Sequence, residues 1–183
     1  MSLLSFLGLG APESSDATRL RSDSDAETIR RIVRELEHLD QARARHIAAF
    51  AFILSRVAYA DSHISEEESR EMERIVMTWG GLPEEQAVLV VQIARHQNIL
   101  FGGTDNFLVS REFKQTATTE QKEELLHCLF AVSAADDSIS AHEENVVAQV
   151  ARELGIAHQD QVAIRARFRD KRAVMKGLRP SKP

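Results

Sequence analysis

The feature that most restricts what this chain can fold into is a repetition. Shifted by 75 residues, the sequence aligns with itself without a gap: LSRVAYADSHISEEESREMERIVMTWG at 54–80 lies over LFAVSAADDSISAHEENVVAQVAREL followed by Gly155 at 129–155. Eight of these 27 positions are identical, and they sit where physical chemistry would place them. Leu54/Leu129 and Val57/Val132 are apolar positions at helical spacing, and Gly80/Gly155 read as helix stops, since glycine accepts a left-handed C′ residue at little cost. Between them lies a shared turn, A-D-x-x-I-S-x-x-E. Ser65 with Glu68, and Ser140 with Glu143, have the spacing of capping boxes, and Ile64 and Ile139 stand at N′, where a hydrophobic staple would sit. Each copy therefore reads as helix, tight turn, capped helix. Two copies predict a pair of helix-turn-helix units related by a pseudo-twofold.

The rest of the chain has the same character. Ile29, Ile32, Val33 and Leu36 recur at helical spacing after Asp23-Ser24-Asp25, which offers an N-cap. Asp40 is placed to cap a longer helix reaching about Ala60, and Glu66 to Trp79 forms the next, stopped by Gly80-Gly81. Pro83 fits N1 of a fourth helix, Thr104 caps a short fifth, Thr119 begins a sixth, Ser140 a seventh, and an eighth covers about 159–175. Strand-like alternation is absent, so the expected fold is all-α, a bundle of seven to eight helices. Its expected core includes Ile32, Val33, Leu54, Val57, Ile75, Val76, Leu129, Val132, Val147, Val150 and Leu154. Residues 1–23 read as a flexible leader, 24–176 as one helical domain with repeat units at about 40–80 and 119–155, and 177–183 as a basic tail.

Composition excludes several classes. Cys128 is the only cysteine, so neither an internal disulfide nor a thiolate zinc cluster is available. Its neighbours Leu125, Leu126 and Leu129 mark it as a small buried hydrophobe. No apolar run is long enough to span a membrane. The apolar opening with Leu3, Leu4, Phe6, Leu7 and Leu9 has no basic face, which argues against both a signal peptide and stable membrane anchoring. A reducing, cytoplasmic home is the default expectation. The net charge of −5 divides unevenly, +7 over residues 165–183 and −12 over the first 164. An acidic body is not the profile of a nucleic-acid-binding domain, and the expected partner is another protein. No P-loop, dinucleotide glycine pattern, nucleophile elbow or H-E-x-x-H motif occurs, so no enzyme activity is expected.

Capping explains the serine, glutamate and isoleucine of the repeated turn but not its aspartate. Asp61 and Asp136 end helices, where the macrodipole disfavours an anion. More carboxylates crowd them: Glu66, Glu67, Glu68, Glu71 and Glu73 in the first copy, Asp137, Glu143 and Glu144 in the second. Clustered carboxylates suit a hard cation that prefers oxygen ligands, Ca²⁺ or Mg²⁺. The competing reading makes each aspartate an Asx-turn that bonds the backbone of its own loop. An EF-hand fails by counting. With Glu68 at loop position 12, positions 1 and 3 become Val57 and Tyr59, and in the second copy Val132 and Ala134. His63 and His142 flank the two turns and read as exposed polar residues.

These residues resemble the TerB family of tellurite-resistance proteins, whose signature includes helix-ending A-D-G-x-I/L-x-x-x-E turns. The similarity extends to the related N-terminal domain of DjlA-type co-chaperones. It covers about residues 45–168 and is strongest at 57–68 and 135–144, with Val150-Ala151-Arg152-Glu153-Leu154-Gly155-Ile156 fitting as well. The resemblance implies an all-helical fold and a metal site built from Asp61, Glu68, Asp136 and Glu143, with Glu67, Asp137 and Glu144 as secondary candidates. It implies a non-enzymatic module of divalent-metal binding or stress resistance. The alternative is a metal-independent adaptor like the co-chaperone domain. The chain departs from the pattern at the usual glycine, which is Ser62 in one turn and Asp137 in the other.

Overall fold

The computed structural model describes residues 17–58, 66–96, 106–135, 139 and 141–177, with side chains between 26 and 168 apart from Ala141. Among these residues there are eight helices and no strand: α1 (Ala17–Glu37), α2 (Gln41–Ala58), α3 (Glu66–Gly80), α4 (Glu84–Arg95), α5 (Asn106–Thr116), α6 (Thr119–Ser133), α7 (Ala141–Leu154) and α8 (His158–Gly177). The all-α expectation holds. No helix among the described residues is long and apolar enough to cross a membrane.

The centre of the bundle is α2. The Asp40 carboxylate accepts from the Arg43 N–H at 3.0 Å, which starts the helix as its cap position predicted. Every residue from His46 to Ser55 is then buried, including Ala48, Ala49 and Ala51, whose small side chains suit close packing by several helices. A helix apolar on all sides belongs inside a bundle, and α2 packs against α1, α4, α5, α6 and α7. The one buried hydroxyl there, Ser55, donates to the Phe52 carbonyl at 2.7 Å.

The repeat carries over into packing. Helix α4 lies on α2 and α3 as α8 lies on α6 and α7, while α3 packs on α6 and α7 packs on α2. Each unit thus lends its second helix to the first helix of the other. Nine of the eleven expected core residues are buried, while Val33 and Val132 are half-buried.

Several helix ends differ from expectation, two of them by a single residue. Thr118, not Thr119, caps α6: its hydroxyl accepts from the Gln121 N–H at 3.2 Å, and Gln121 Oε1 accepts from the Thr118 N–H at 2.9 Å. Counting three on from Thr118 reaches glutamine, whereas from Thr119 it reaches Lys122, which has no acceptor to return the bond. Pro83 is the N-cap of α4 rather than N1, with extended backbone and its carbonyl accepting from Gln86 and Ala87. Helix α1 begins at Ala17, inside the stretch read as leader, so Asp23–Asp25 lie within it rather than ahead of it.

The two glycine stops also part company. Gly155 has φ +77°, and the Ile156 N–H reaches the Ala151 carbonyl at 2.9 Å while Gly155 N–H reaches Arg152 at 3.1 Å, a Schellman ending. In the first copy the left-handed residue is Gly81, φ +60°. Gly80 is still helical and buried, and a Cβ there would stand 3.1 Å from both Phe50 Cζ and Cys128 Sγ. It is small for packing, not for its backbone.

Candidate functional site

The acidic helix starts are built the same way in both units. Glu66, Glu67 and Glu68 occupy the first turn of α3, and Glu143 and Glu144 the first turn of α7, where carboxylates complement the exposed N–H groups and the macrodipole. In each unit one of these acids is tied to the following helix. Glu66 pairs with Arg95 at the end of α4 at 2.9 Å, and Glu144 pairs with Arg165 on α8. Both bridges are exposed, so they orient more than they stabilise. Glu67 and Glu68 are exposed and Glu143 half-buried.

Asp61, Asp136 and Asp137 lie outside the described residues, as do His63, Ile64, Ser65, Ser140 and the loop holding Thr104. Among the described residues, no three His, Cys, Asp or Glu side chains are grouped so as to hold a metal ion. Of the seven acids singled out, the structure therefore places Glu67, Glu68, Glu143 and Glu144 on two separate helix starts. His142 is exposed, as expected of a polar residue beside a turn.

Cys128 is buried. Its thiol is pushed up by desolvation and then by the charge of Glu124, and Sγ lies 3.8 Å from the Ile75 carbonyl. A thiol held protonated is no nucleophile at neutral pH. It is the packing residue its leucine neighbours suggested.

The strongest electrostatic feature was not visible in the sequence. Arg56 of α2 and Glu153 of α7 form an almost fully buried ion pair at 2.7 Å. Arg56 also donates to Ser110 Oγ of α5 at 3.0 Å, and Gln149 donates to Glu153 at 2.8 Å. Burial raises the Glu153 carboxyl, but hydrogen bonds from Arg56, Ser110 and Gln149 and the Arg56 charge outweigh it and hold the group below its usual range. The pair pins α2, α5 and α7 together. The only sequence signal was the place of Arg56 beside Val57 on a helix otherwise buried.

Two histidines are also built into the interior. His46 lies 5.0 Å from the Phe113 ring and 6.2 Å from that of Phe50, and burial, helped by Arg43, lowers its pKa to about 4. His127 stacks on Trp79 at 5.5 Å and lies 5.9 Å from Phe168. Its Nδ1 is buried with no hydrogen-bond partner among the described residues, and burial followed by the Arg167 charge lowers its pKa. Neither histidine adjoins the acidic helix starts in sequence, and both pack as interior rings.

Residues 46–166 match the family described as Tellurite resistance protein TerB. No curated protein and no solved structure gives a match. The matched span runs from the buried stretch of α2 into α8, taking in both copies of the repeated turn and well over half of the sequence, and on that ground the chain belongs to the TerB family.

Proposed function

We propose that this TerB family member is a non-catalytic binding module that holds a divalent cation, Ca²⁺ or Mg²⁺, through the acidic groups of its repeated turns. Asp61, Glu68, Asp136 and Glu143 are the principal ligands in this reading, with Glu67, Asp137 and Glu144 beside them. The role that follows is one in metal or stress resistance in the cytoplasm, exercised through a protein partner. The observation that carries the proposal is the recurrence of the aspartate. It follows a helix in both copies, three positions beyond Ala58 of α2 and Ser133 of α6, and helix capping accounts for the repeated serine, glutamate and isoleucine of the turn but not for this residue. Oxygen-only donors suit hard cations rather than Zn²⁺ or Cu²⁺.

Calorimetric titration with Ca²⁺, Mg²⁺, Mn²⁺ and Zn²⁺ tests this directly. Asp61→Asn and Asp136→Asn are each expected to weaken Ca²⁺ or Mg²⁺ binding while leaving the melting midpoint in excess chelator unchanged or slightly raised. Variants that melt well below the parent in chelator would make the carboxylates structural caps. Exposed Phe107 and Leu108 at the start of α5 favour a second reading, a metal-independent adaptor. Capture of a partner that survives chelator and is lost in Phe107→Ser would support it.

A further inference from the structure

We propose that α8 is an arm released by acid, through protonation of His127 on α6, while the rest of the bundle stays folded. His127 stands where three helices meet. Its ring stacks on Trp79 of α3 at 5.5 Å, with 16° between the planes, and lies 5.9 Å from Phe168 of α8. Phe168 in turn meets Trp79 at 5.1 Å and Phe130 of α6 at 6.2 Å. In this cluster the neutral imidazole packs as one more ring.

Protonation changes the contact in two ways. An imidazolium carries a proton on both nitrogens, so the buried Nδ1, which has no partner among the described residues, becomes a donor with nothing to bond. The ring also acquires the sign of Arg167, the charge on α8 that already acts on it. Nothing on the other helices offsets this. From Ile75 to Gly81, α3 has no titratable residue. On α6, Glu123 and Glu124 stand one turn before His127, and Glu124 is turned to Gly81, where its Oε1 would lie 3.0 Å from a Cβ. Glu144 of α7 is taken by Arg165. Beyond Phe168 the sequence adds Arg169, Lys171 and Arg172 against Asp170.

Trp79 gives the change a direction. An aromatic face attracts a cation, so the charged ring keeps its seat on α3, and the repulsion falls on α8 through Arg167. Helix α8 is the element that yields, for Ile164 and Phe168 are its buried apolar anchors among the described side chains, and the Arg165–Glu144 pair is exposed. Once α8 has left, the ring is solvated and titrates near its ordinary 6.5, above the lowered value it has when docked. Acid therefore favours release. The undocking constant climbs below about pH 6.5 by at most about tenfold per pH unit, the limit for one proton, and levels off at the docked value. Release uncovers Trp79 and Phe130, both of which Phe168 covers in the docked state.

Hydrogen exchange of the full chain, read amide by amide from about pH 7.5 to about pH 5 and corrected for the intrinsic pH dependence of exchange, tests the proposal. Amides of α8 from Arg165 to Phe168 should lose protection below about pH 6.5, by up to about tenfold per pH unit, and should be less protected in acid than those of Phe50 to Leu54 in α2. The loss should be absent in His127→Gln and in His127→Phe, neither of which titrates, with α2 protection showing that each is folded. Arg167→Gln should keep a smaller loss, because without the like charge the docked ring titrates nearer its ordinary value. His46→Leu should keep the loss in full, since His46 stays buried while α8 opens. Protection of α8 that holds down to pH 5, or that falls alike in a folded His127 variant, would overturn the proposal. So would α8 and α2 amides that lose protection together and equally.

Discussion

At the scale of single residues, two buried titratable groups make acid the condition that loosens this protein. His46 has a folded pKa of about 4 against an ordinary 6.5. Between those values the unfolded chain binds more protons than the folded one, so stability falls as pH drops through that window. Each pKa unit is worth about 1.4 kcal/mol, which gives a loss of about 3 kcal/mol across it. Urea midpoints measured from pH 7 to pH 4 should show this slope, and His46→Leu should flatten it. Glu153 adds a second loss at lower pH, because its depressed carboxyl contributes stability above the usual carboxylate range and surrenders it as pH falls through the folded value. Removing one partner of its ion pair is a sharper intervention. Glu153→Ala leaves the Arg56 guanidinium buried without its carboxylate, at a cost of about 3–5 kcal/mol in equilibrium denaturation. The double variant Arg56→Met/Glu153→Leu should recover most of that, since an apolar pair of similar volume has no charge to desolvate. If the double variant is no better than Glu153→Ala, the pair is holding the three helices by geometry that apolar contact does not replace.

Among the elements, the helices were legible from apolar spacing, because a 3.6-residue period is written into Ile29, Ile32 and Leu36 of α1 and into Val147, Val150 and Leu154 of α7. Their exact ends were less so. Two adjacent threonines and two adjacent glycines offer the chain alternatives one residue apart, and tertiary packing chooses between them. Gly80 is kept helical because Phe50 and Cys128 close over it, which leaves Gly81 to take the left-handed turn. The two glycines should therefore respond differently to alanine. Gly81→Ala meets only the Glu124 side chain and should cost about 1 kcal/mol of backbone strain. Gly80→Ala gains helix propensity yet forces two buried side chains apart, and about 1–3 kcal/mol of overpacking should win. Likewise Thr118→Ala should lower stability by about 1 kcal/mol, and Thr119→Ala by less than about 0.5 kcal/mol. Thermal melts of these four variants check the assignment. Arg56 and Glu153 were hidden for another reason: 97 residues separate them, and no local pattern reports a contact made only when α7 crosses to the other unit. The acidic turns are the reverse case, since Asp61 and Asp136 are conspicuous as residues while their relation in space depends on how two loops lie.

On the scale of the whole molecule, exchange of second helices makes each unit depend on the other, whereas α8 is held more locally. Its Phe168 is buried against Trp79 at 5.1 Å and Phe130 at 6.2 Å, reaching both α3 and α6. Ile164 is the other buried anchor among the described side chains of this helix, while Val162, Arg165 and Arg167 are exposed. With these two as its buried apolar anchors, α8 is expected to detach first, because local opening follows the density of buried contacts. Trp79 is the only tryptophan in the chain, and it sits between His127 and Phe168, so its fluorescence reports on the place where α8 docks on α3 and α6. In the parent protein the fluorescence and far-ultraviolet dichroism transitions in urea should coincide, since burial of Phe168 links α8 to the core of both units. Phe168→Ala removes the ring that both α3 and α6 contact, a truncation that costs about 3 kcal/mol or more at a buried site. The loss falls on α8 rather than on the α2–α7 core, so the two transitions should separate, fluorescence shifting red at lower urea than the helical signal is lost. Coincident transitions displaced together would instead place α8 within the cooperative core and make the eight helices a single folding unit.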